Sequence, residues 1–289
     1  MKVITSVVNN PIFIEIQYYT LKKYMKCDYE FIVFNDAKDF PDYSNGMDST
    51  IKQIIEQTCS NFKIKCINIP NVHHKLSTRL YQEPSYRTAE AMNFILEYQK
   101  QNPDKYLLLD SDMFLIDNFT IDKYEDNDCN IVLQKRNNLD GSSIHYIWNG
   151  LYYFNMNKLQ NVDLMNWHCT LTTDTGGMMY KWLLAQNIYF PDIEDLKNNH
   201  NTICKTNKFK FIKFLKSLEW NNENIPKNIQ NKNKLVEFLE SDPRNVDNKF
   251  YCEIFDNIFL HYRGGGNWEK RDFMDHVNLS YKLKAALLQ

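Results

Sequence analysis

The sequence predicts an α/β fold built on an open, doubly wound, mostly parallel sheet, with a less regular second half. Three observations predict it. Over the first 110 residues, four short apolar runs rich in β-branched or aromatic residues alternate with three segments of helical period. One run, Tyr106-Leu107-Leu108-Leu109, is apolar on both faces, as a central parallel strand is. Finally, Asn9, Asp36 and Asp110 stand just beyond the ends of three of the runs, and open α/β sheets bind ligands beyond their strands' carboxyl ends.

Taken in order, Lys2 to Val8 is a strand stopped by Asn9-Asn10-Pro11. Asn10 is placed to cap a helix that has Pro11 at its first position, where a missing N–H costs nothing. Ile14, Tyr18, Leu21 and Met25 carry that helix to about Lys26. Glu30 to Phe34 is the second strand. A helix from about Ser49 sets Ile51, Ile54, Ile55 and Thr58 on one face, and Lys65 to Ile69 is a short strand ended by Pro70. Pro84 opens a helix with Ala89, Met92 and Leu96 on one side, and the central strand 106–109 follows. Beyond it, Ile131–Gln134 and His145–Asn155 read as strands and Thr175–Gln186 as a helix. The Asn- and Lys-rich stretch 197–249 reads as loops and short elements. Ile254 to His261 reads as a last strand, and Phe273–Leu288 as a C-terminal helix.

Composition narrows the class. With 34 basic against 36 acidic residues the net charge is −2, too balanced for a protein that lives on nucleic-acid phosphates. The seven cysteines are odd in number, scattered, and contain no Cys-x-x-Cys, which favours free thiols in a reducing, cytoplasmic setting over a disulfide frame or a cysteine zinc site. The N-terminal apolar stretch is too short for a signal peptide, and no run is long enough to span a membrane.

Two constellations carry chemistry. Asp110-Ser111-Asp112 ends the central strand, and in extended chain residues i and i+2 point to the same side, so both carboxylates can address one cation. Carboxylates suit Mn²⁺ or Mg²⁺, which keep positions open for phosphate oxygens. Asp126-Asn127-Asp128 has the same spacing in a polar loop and serves as the internal control. The second constellation is His261, a candidate metal ligand, followed by Arg263-Gly264-Gly265-Gly266. There the glycines would let backbone approach a phosphate that Arg263 binds. His73, His74 and His200 lie in polar stretches outside these constellations.

An apolar strand, Asp110-Ser111-Asp112, a second apolar run, and a late His261-x-x-Gly264 turn with Trp268 resemble the GT-A-fold glycosyltransferases. Within that superfamily the chain is most similar to the glycogenin-like and galactosyltransferase-like retaining enzymes. The family's turn reads His-x-x-Gly-x-x-Lys-Pro-Trp; here Lys and Pro are absent and Trp268 comes one position early, so Arg263 substitutes for the lysine. The resemblance implies Asp110, Asp112 and His261 as metal ligands, with Ser111 between the carboxylates. It also implies Arg87 as a phosphate ligand and Val8, Asn9 and Asp36 in the nucleoside pocket. Trp148 to Asn155 is similar to the family's Phe-Asn-Ala-Gly strand, which singles out Asn149.

The implied protein is a single domain, 1–289, with a nucleotide-sugar-binding half (1–116) and an acceptor-side half (117–289). Its implied reaction moves a sugar from a nucleotide-sugar, a UDP-sugar, to a hydroxyl of a glycan, protein or small molecule. Asp174 is the best carboxylate near the sugar or acceptor, and equally a good helix N-cap. Trp148, Tyr152, Tyr153 and Trp167 are candidates to stack on a sugar face or to pack the core. Two rivals remain at this stage: a sugar-phosphate nucleotidyltransferase, disfavoured because no Gly-rich basic loop follows the first strand, and a non-catalytic nucleotide-sugar-binding protein. Two expectations complete the reading. Asp112→Asn should leave the thermal melt nearly unchanged, and activity should fall below roughly pH 6, near the ordinary histidine value.

Overall fold

The computed structural model describes residues 1–39, 50–75, 83–138, 140–186, 209–265 and 273–288. β-Branched and aromatic runs form β1 (Lys2–Val7) and β2 (Glu30–Asn35), paired in parallel with Val7 opposite Asn35. Between them, α1 (Pro11–Tyr24) begins on its proline; the Asn10 side chain does not cap it but donates to Ser280 Oγ at 2.8 Å. α2 (Ile51–Asn61) buries Ile51, Ile55 and Cys59. Its buried stripe runs i, i+4, i+8, so Ile54, placed on that face by the sequence reading, is exposed. β3 (Lys65–Asn68), α3 (Val72–Lys75) and α4 (Pro84–Gln101) follow, and α4 buries Ala89, Met92 and Leu96 as their spacing predicts. β4 (Lys105–Leu109) is central: it lies parallel to β1 on one side, and Tyr106 to Leu109 are all buried.

The second half begins with β5 (Met113–Leu115) and α5 (Asp122–Glu125), then β6 (Cys129–Asn137) and β7 (Ser143–Asn155). A 3₁₀ turn at Gly177–Met179 and α6 (Tyr180–Ala185) occupy the stretch read as one helix from Thr175. The helix starts late because Gly176 stands at φ 94°, outside helical space. Of the region read as loops, 197–208 lies outside the described residues. The remainder carries β8 (Phe209–Phe211), β9 (Phe214–Leu215), α7 (Lys227–Gln230) and α8 (Asn233–Ser241). The main sheet runs β3-β2-β1-β4-β7-β6-β8; four of its pairings are parallel, and β7 is antiparallel to both β4 and β6.

The strand expected from Ile254 to His261 is instead a hairpin of β10 (Glu253–Phe255) and β11 (Phe259–His261). Asp256 and Asn257 turn it at φ 51° and 57°, left-handed values that Asp and Asn adopt more readily than most residues. With β5 and β9 it forms a second, antiparallel sheet in the order β5-β11-β10-β9, and α9 (Phe273–Leu288) closes the chain. The chain therefore crosses from one sheet to the other between β4 and β5, at Asp110-Ser111-Asp112. Strand 106–109 and the strand ending at His261, two apolar runs that each end in a candidate metal ligand and so would be expected to stop on one sheet edge, thus lie in different sheets. They meet because β11 pairs with β5, setting His261 opposite Met113.

The loop before this hairpin fastens the glycine turn after it. Arg244 is buried and bidentate on Asp242, with Nε–Oδ1 2.8 Å and Nη2–Oδ2 2.6 Å, while Nη1 donates to the Arg263 carbonyl at 2.6 Å. Its guanidinium lies 3.7 Å from the Tyr262 ring centre. The six cysteines among the described residues are free thiols. Arg244→Met would leave the buried Asp242 charge uncompensated and should destabilise the fold by about 3–5 kcal/mol. Urea unfolding checks this; a loss under about 1 kcal/mol would contradict the clamp.

Candidate active site

The crossing between the sheets is pinned from three sides. The Asp110 N–H donates to Gly150 O of β7 at 2.7 Å. The fully buried Gln17 of α1 donates to the carbonyls of Asp110 (2.8 Å) and Met113 (3.1 Å). From the glycine turn, Gly265 N–H donates to Asp112 Oδ2 and Tyr262 N–H to the Asp112 carbonyl, each at 2.8 Å. Against this pair stands His261, with Nε2 at 3.1 Å from Asp112 Oδ1 and 3.9 Å from Asp110 Oδ2. Its Nδ1 faces Glu253 Oε2 at 2.8 Å, across the β10–β11 pairing.

Electrostatics follow from burial. Asp110 is pushed up to about 7 by burial and by the neighbouring Asp112 carboxylate. Burial pulls the His261 imidazole down, but Asp112 and Glu253 outweigh it and hold the ring well above the ordinary histidine value. Glu253 is raised by burial yet held below the usual carboxylate range by His261. Without a cation the imidazole is thus a charged bridge between two carboxylates. One ligand atom from each of Asp110, Asp112 and His261 lies within 4.8 Å of the others. Two carboxylates and an imidazole suit a divalent cation, and a carboxylate behind the other ring nitrogen is what metal-bound histidines ordinarily have. The residues fit.

These groups line a cavity of about 760 Å³. Along its walls lie Val8, Asn9 and Asp36 from the ends of β1 and β2, and Arg87 from α4. Ser111, Asn149, Asp174, Arg263 and Gly264 also line it. A second cavity of about 390 Å³ shares Trp148, Asp174, His261 and Arg263 with the first, and is bordered by Lys135, Arg136 and Lys216. Trp148 stacks on Phe255 (4.9 Å, 13°) and lies 5.1 Å from His261. Gly150 permits this, since a Cβ there would come within 2.3 Å of the Trp148 ring.

Several expectations change. Gly265 is not a cavity residue: it is buried, its N–H is shared between Asp112 Oδ2 and the Tyr262 carbonyl, and a Cβ would press on Phe13 and Tyr262 at 2.7–2.8 Å. Asp174 does not cap a helix, since its Oδ1 accepts only the adjacent Thr175 N–H, at 2.8 Å. Tyr152, Tyr153 and Trp167 are fully buried core residues. Asp126 and Asp128 precede β6, whose first residue, like Tyr106 near the start of β4, pairs with Phe154. The control pair therefore sits at the sheet edge opposite Asp110. His73 and His74 are not outside the site, because both face Asp36. Gly266, Trp268 and His200 lie outside the described residues. Sequence reasoning did not single out Gln17 or Glu253. The one available signal was a charged residue, Glu253, immediately before an apolar run that turns back on itself.

No protein-family model matches the chain, and no curated protein is similar to it in sequence. Solved structures are similar over part of their length. The galactosyltransferase LgtC, in complex with donor and acceptor sugar analogs, is 13% identical over 55% of this chain and 59% of its own, with a TM-score of 0.35. The WbbM bifunctional glycosyltransferase is 11% identical over 54% and 31%, at 0.33. Mouse xyloside xylosyltransferase 1 is 10% identical over 57% and 70%, also at 0.33. The chain spans less than two thirds of LgtC and of WbbM.

A cation at this cluster must displace protons from His261 and Asp110. Mn²⁺ affinity should therefore rise with pH through about 7, where Asp110 loses its proton, and go on rising above it as His261 loses its own, with protons released on binding. Calorimetry in buffers of different ionisation heat checks both, and affinity that falls with rising pH contradicts the assignment. The pH threshold lies higher than the ordinary histidine value suggested. Asp110→Asn should abolish Mn²⁺ binding while leaving the melt unchanged or raised, because burial and Asp112 already disfavour the ionised form. The buried Asp112 differs from its sequence expectation: Asp112→Asn removes the charge facing His261 and should cost about 1–3 kcal/mol. A destabilised Asp110→Asn beside an unperturbed Asp112→Asn would reverse this account.

Proposed function

We propose that this protein is a metal-dependent glycosyltransferase that moves a sugar from a nucleotide-sugar, a UDP-sugar, to an acceptor hydroxyl, with retention at the anomeric carbon. The observation that carries the reading is the convergence of Asp110, Asp112 and His261 on the wall of a large cavity at the carboxyl edge of the parallel strands. Asp110, Asp112 and His261 would hold Mn²⁺ or Mg²⁺, which would neutralise the charge on a departing diphosphate.

The chain's own residues do the rest. Val8, Asn9 and Asp36 shape the end of the cavity where β1 and β2 stop, and take the nucleoside. Arg87 and Arg263 line the same cavity as the acidic pair and give charge-assisted hydrogen bonds to phosphate oxygens. Gly264, at φ 72°, lines the same cavity, and Ser111, between the two carboxylates, lines it too and contacts the nucleotide-sugar. Asn149 and Asp174 line the wall where the reacting sugar lies, and Asp174 also borders the second cavity. That position suits a carboxylate that orients the acceptor hydroxyl or faces the oxocarbenium-like charge of glycosyl transfer. The second cavity, with Trp148 in its wall, receives the acceptor. Retention comes from the resemblance to the retaining enzymes.

A panel of nucleotide-sugars with Mn²⁺, scored for slow hydrolysis without acceptor, tests the reading. A UDP-sugar should be hydrolysed, and Asp126→Asn should leave the rate unchanged while Asp110→Asn abolishes it. In calorimetry UDP should bind far more tightly with Mn²⁺ than without. Equal affinity under both conditions, or no hydrolysis of any donor, would overturn the proposal.

A further inference from the structure

A second convergent set lies at the other end of the same cavity, where β2 stops. Asp36 follows β2, and the four-residue α3 carries His73 and His74. His73 Nε2 lies 2.9 Å from Asp36 Oδ1 and His74 Nε2 lies 3.2 Å from the same oxygen. His74 Nε2 is also 2.8 Å from the Asp36 carbonyl oxygen. All three side chains are at least nine-tenths buried, with 7% or less of each in solvent.

The contact of His74 Nε2 with the Asp36 carbonyl is a hydrogen bond, which the ring would give up with its proton on binding a metal; the contacts to Asp36 Oδ1 are close without being satisfied. Asp36 Oδ1 and His73 Nε2 are 2.9 Å apart, yet neither has a hydrogen-bond partner, so the N–H does not point along the line between them. The buried Nδ1 of His74 has no hydrogen-bond partner either. Buried polar atoms that converge without bonding call for a missing partner, and an ion is one of the standard explanations. Geometry agrees. In a tetrahedron with arms of about 2.0–2.1 Å, ligand atoms stand about 3.4 Å apart. The two distances to Asp36 Oδ1, 2.9 and 3.2 Å, are near that edge, and the three ligand atoms lie within 4.8 Å of one another. Two imidazoles and one carboxylate form a set that favours zinc over the harder Mn²⁺ or Mg²⁺.

We propose that Asp36, His73 and His74 form a zinc site that clips α3 onto the end of β2. Asp36 and His74 also line the large cavity, so a fourth ligand could reach the site from there. The ionised carboxylate the site needs is already favoured: burial pushes Asp36 up, but the two imidazoles more than offset it and hold it below the usual range. This inference concerns a site separate from the Asp110–Asp112–His261 cluster and stands without the glycosyltransferase reading.

The test uses the full chain carrying Asp110→Asn and His261→Gln, which removes the first cluster as a competitor. After chelation and dialysis against Zn²⁺, this protein should retain one zinc per chain by elemental analysis. Adding His73→Gln or His74→Gln should weaken Zn²⁺ by about 100-fold or more, beyond the 10–100-fold typical of groups that only support a ligand. X-ray absorption at the zinc edge of the His73- and His74-intact protein gives a second reading that does not depend on those variants folding. Two imidazoles and an oxygen-rich remainder are expected. Zinc held through one imidazole or none, stoichiometry unmoved by either glutamine, or no zinc retained would each overturn the proposal and leave a metal-free His–Asp–His cluster.

Discussion

Two carboxylates are held together at the point where the chain leaves one sheet for another, and the architecture of the site depends on that constraint. Asp110 and Asp112 offer oxygens within 4.8 Å of a common partner. At an effective dielectric of about 20, two such charges repel by on the order of 3 kcal/mol, less where Asp110 meets solvent. Protonation of Asp110, the His261 imidazolium and the Gly265 N–H all relieve that repulsion in the metal-free protein. A divalent cation would relieve it better, which is why the cluster reads as a ligand set.

Everything packed around the pair serves to keep it in place. Gln17 spends its amide on the two carbonyls that bracket the turn. Glu253 orients His261 from behind, and the Arg244–Asp242 pair ties down the carbonyl of Arg263 just before the glycines. Glycine is needed at 150 and 265 for closeness more than for flexibility. The first lets the Trp148 ring lie over the strand, and the second lets the turn press onto Phe13 and Tyr262.

The first half of the fold was legible because its signals are local. Pro11 and Pro84 mark helix starts, and β4 betrays its central place by burying both faces. The second sheet was not legible, since strands of two or three residues are too short for a period to show. Asp256-Asn257 was a readable turn signal inside a run taken as one strand. Asp110, Asp112 and His261 could be found by residue type, and the β5–β11 register explains why they meet. Glu253, Gln17 and the Asp36–His73–His74 set owe their positions to pairing and packing across long sequence distances. For them the sequence offers residue identity without a neighbour.

The most direct test of the central claim is pulsed electron paramagnetic resonance of Mn²⁺ in protein with ¹⁵N-labelled histidine and bound UDP. A cation held by Asp110, Asp112 and His261 should couple to the phosphorus of the diphosphate and to one imidazole nitrogen, and His261→Gln should remove the nitrogen coupling alone. Phosphorus coupling with no histidine nitrogen, or a nitrogen coupling that survives His261→Gln, would contradict it.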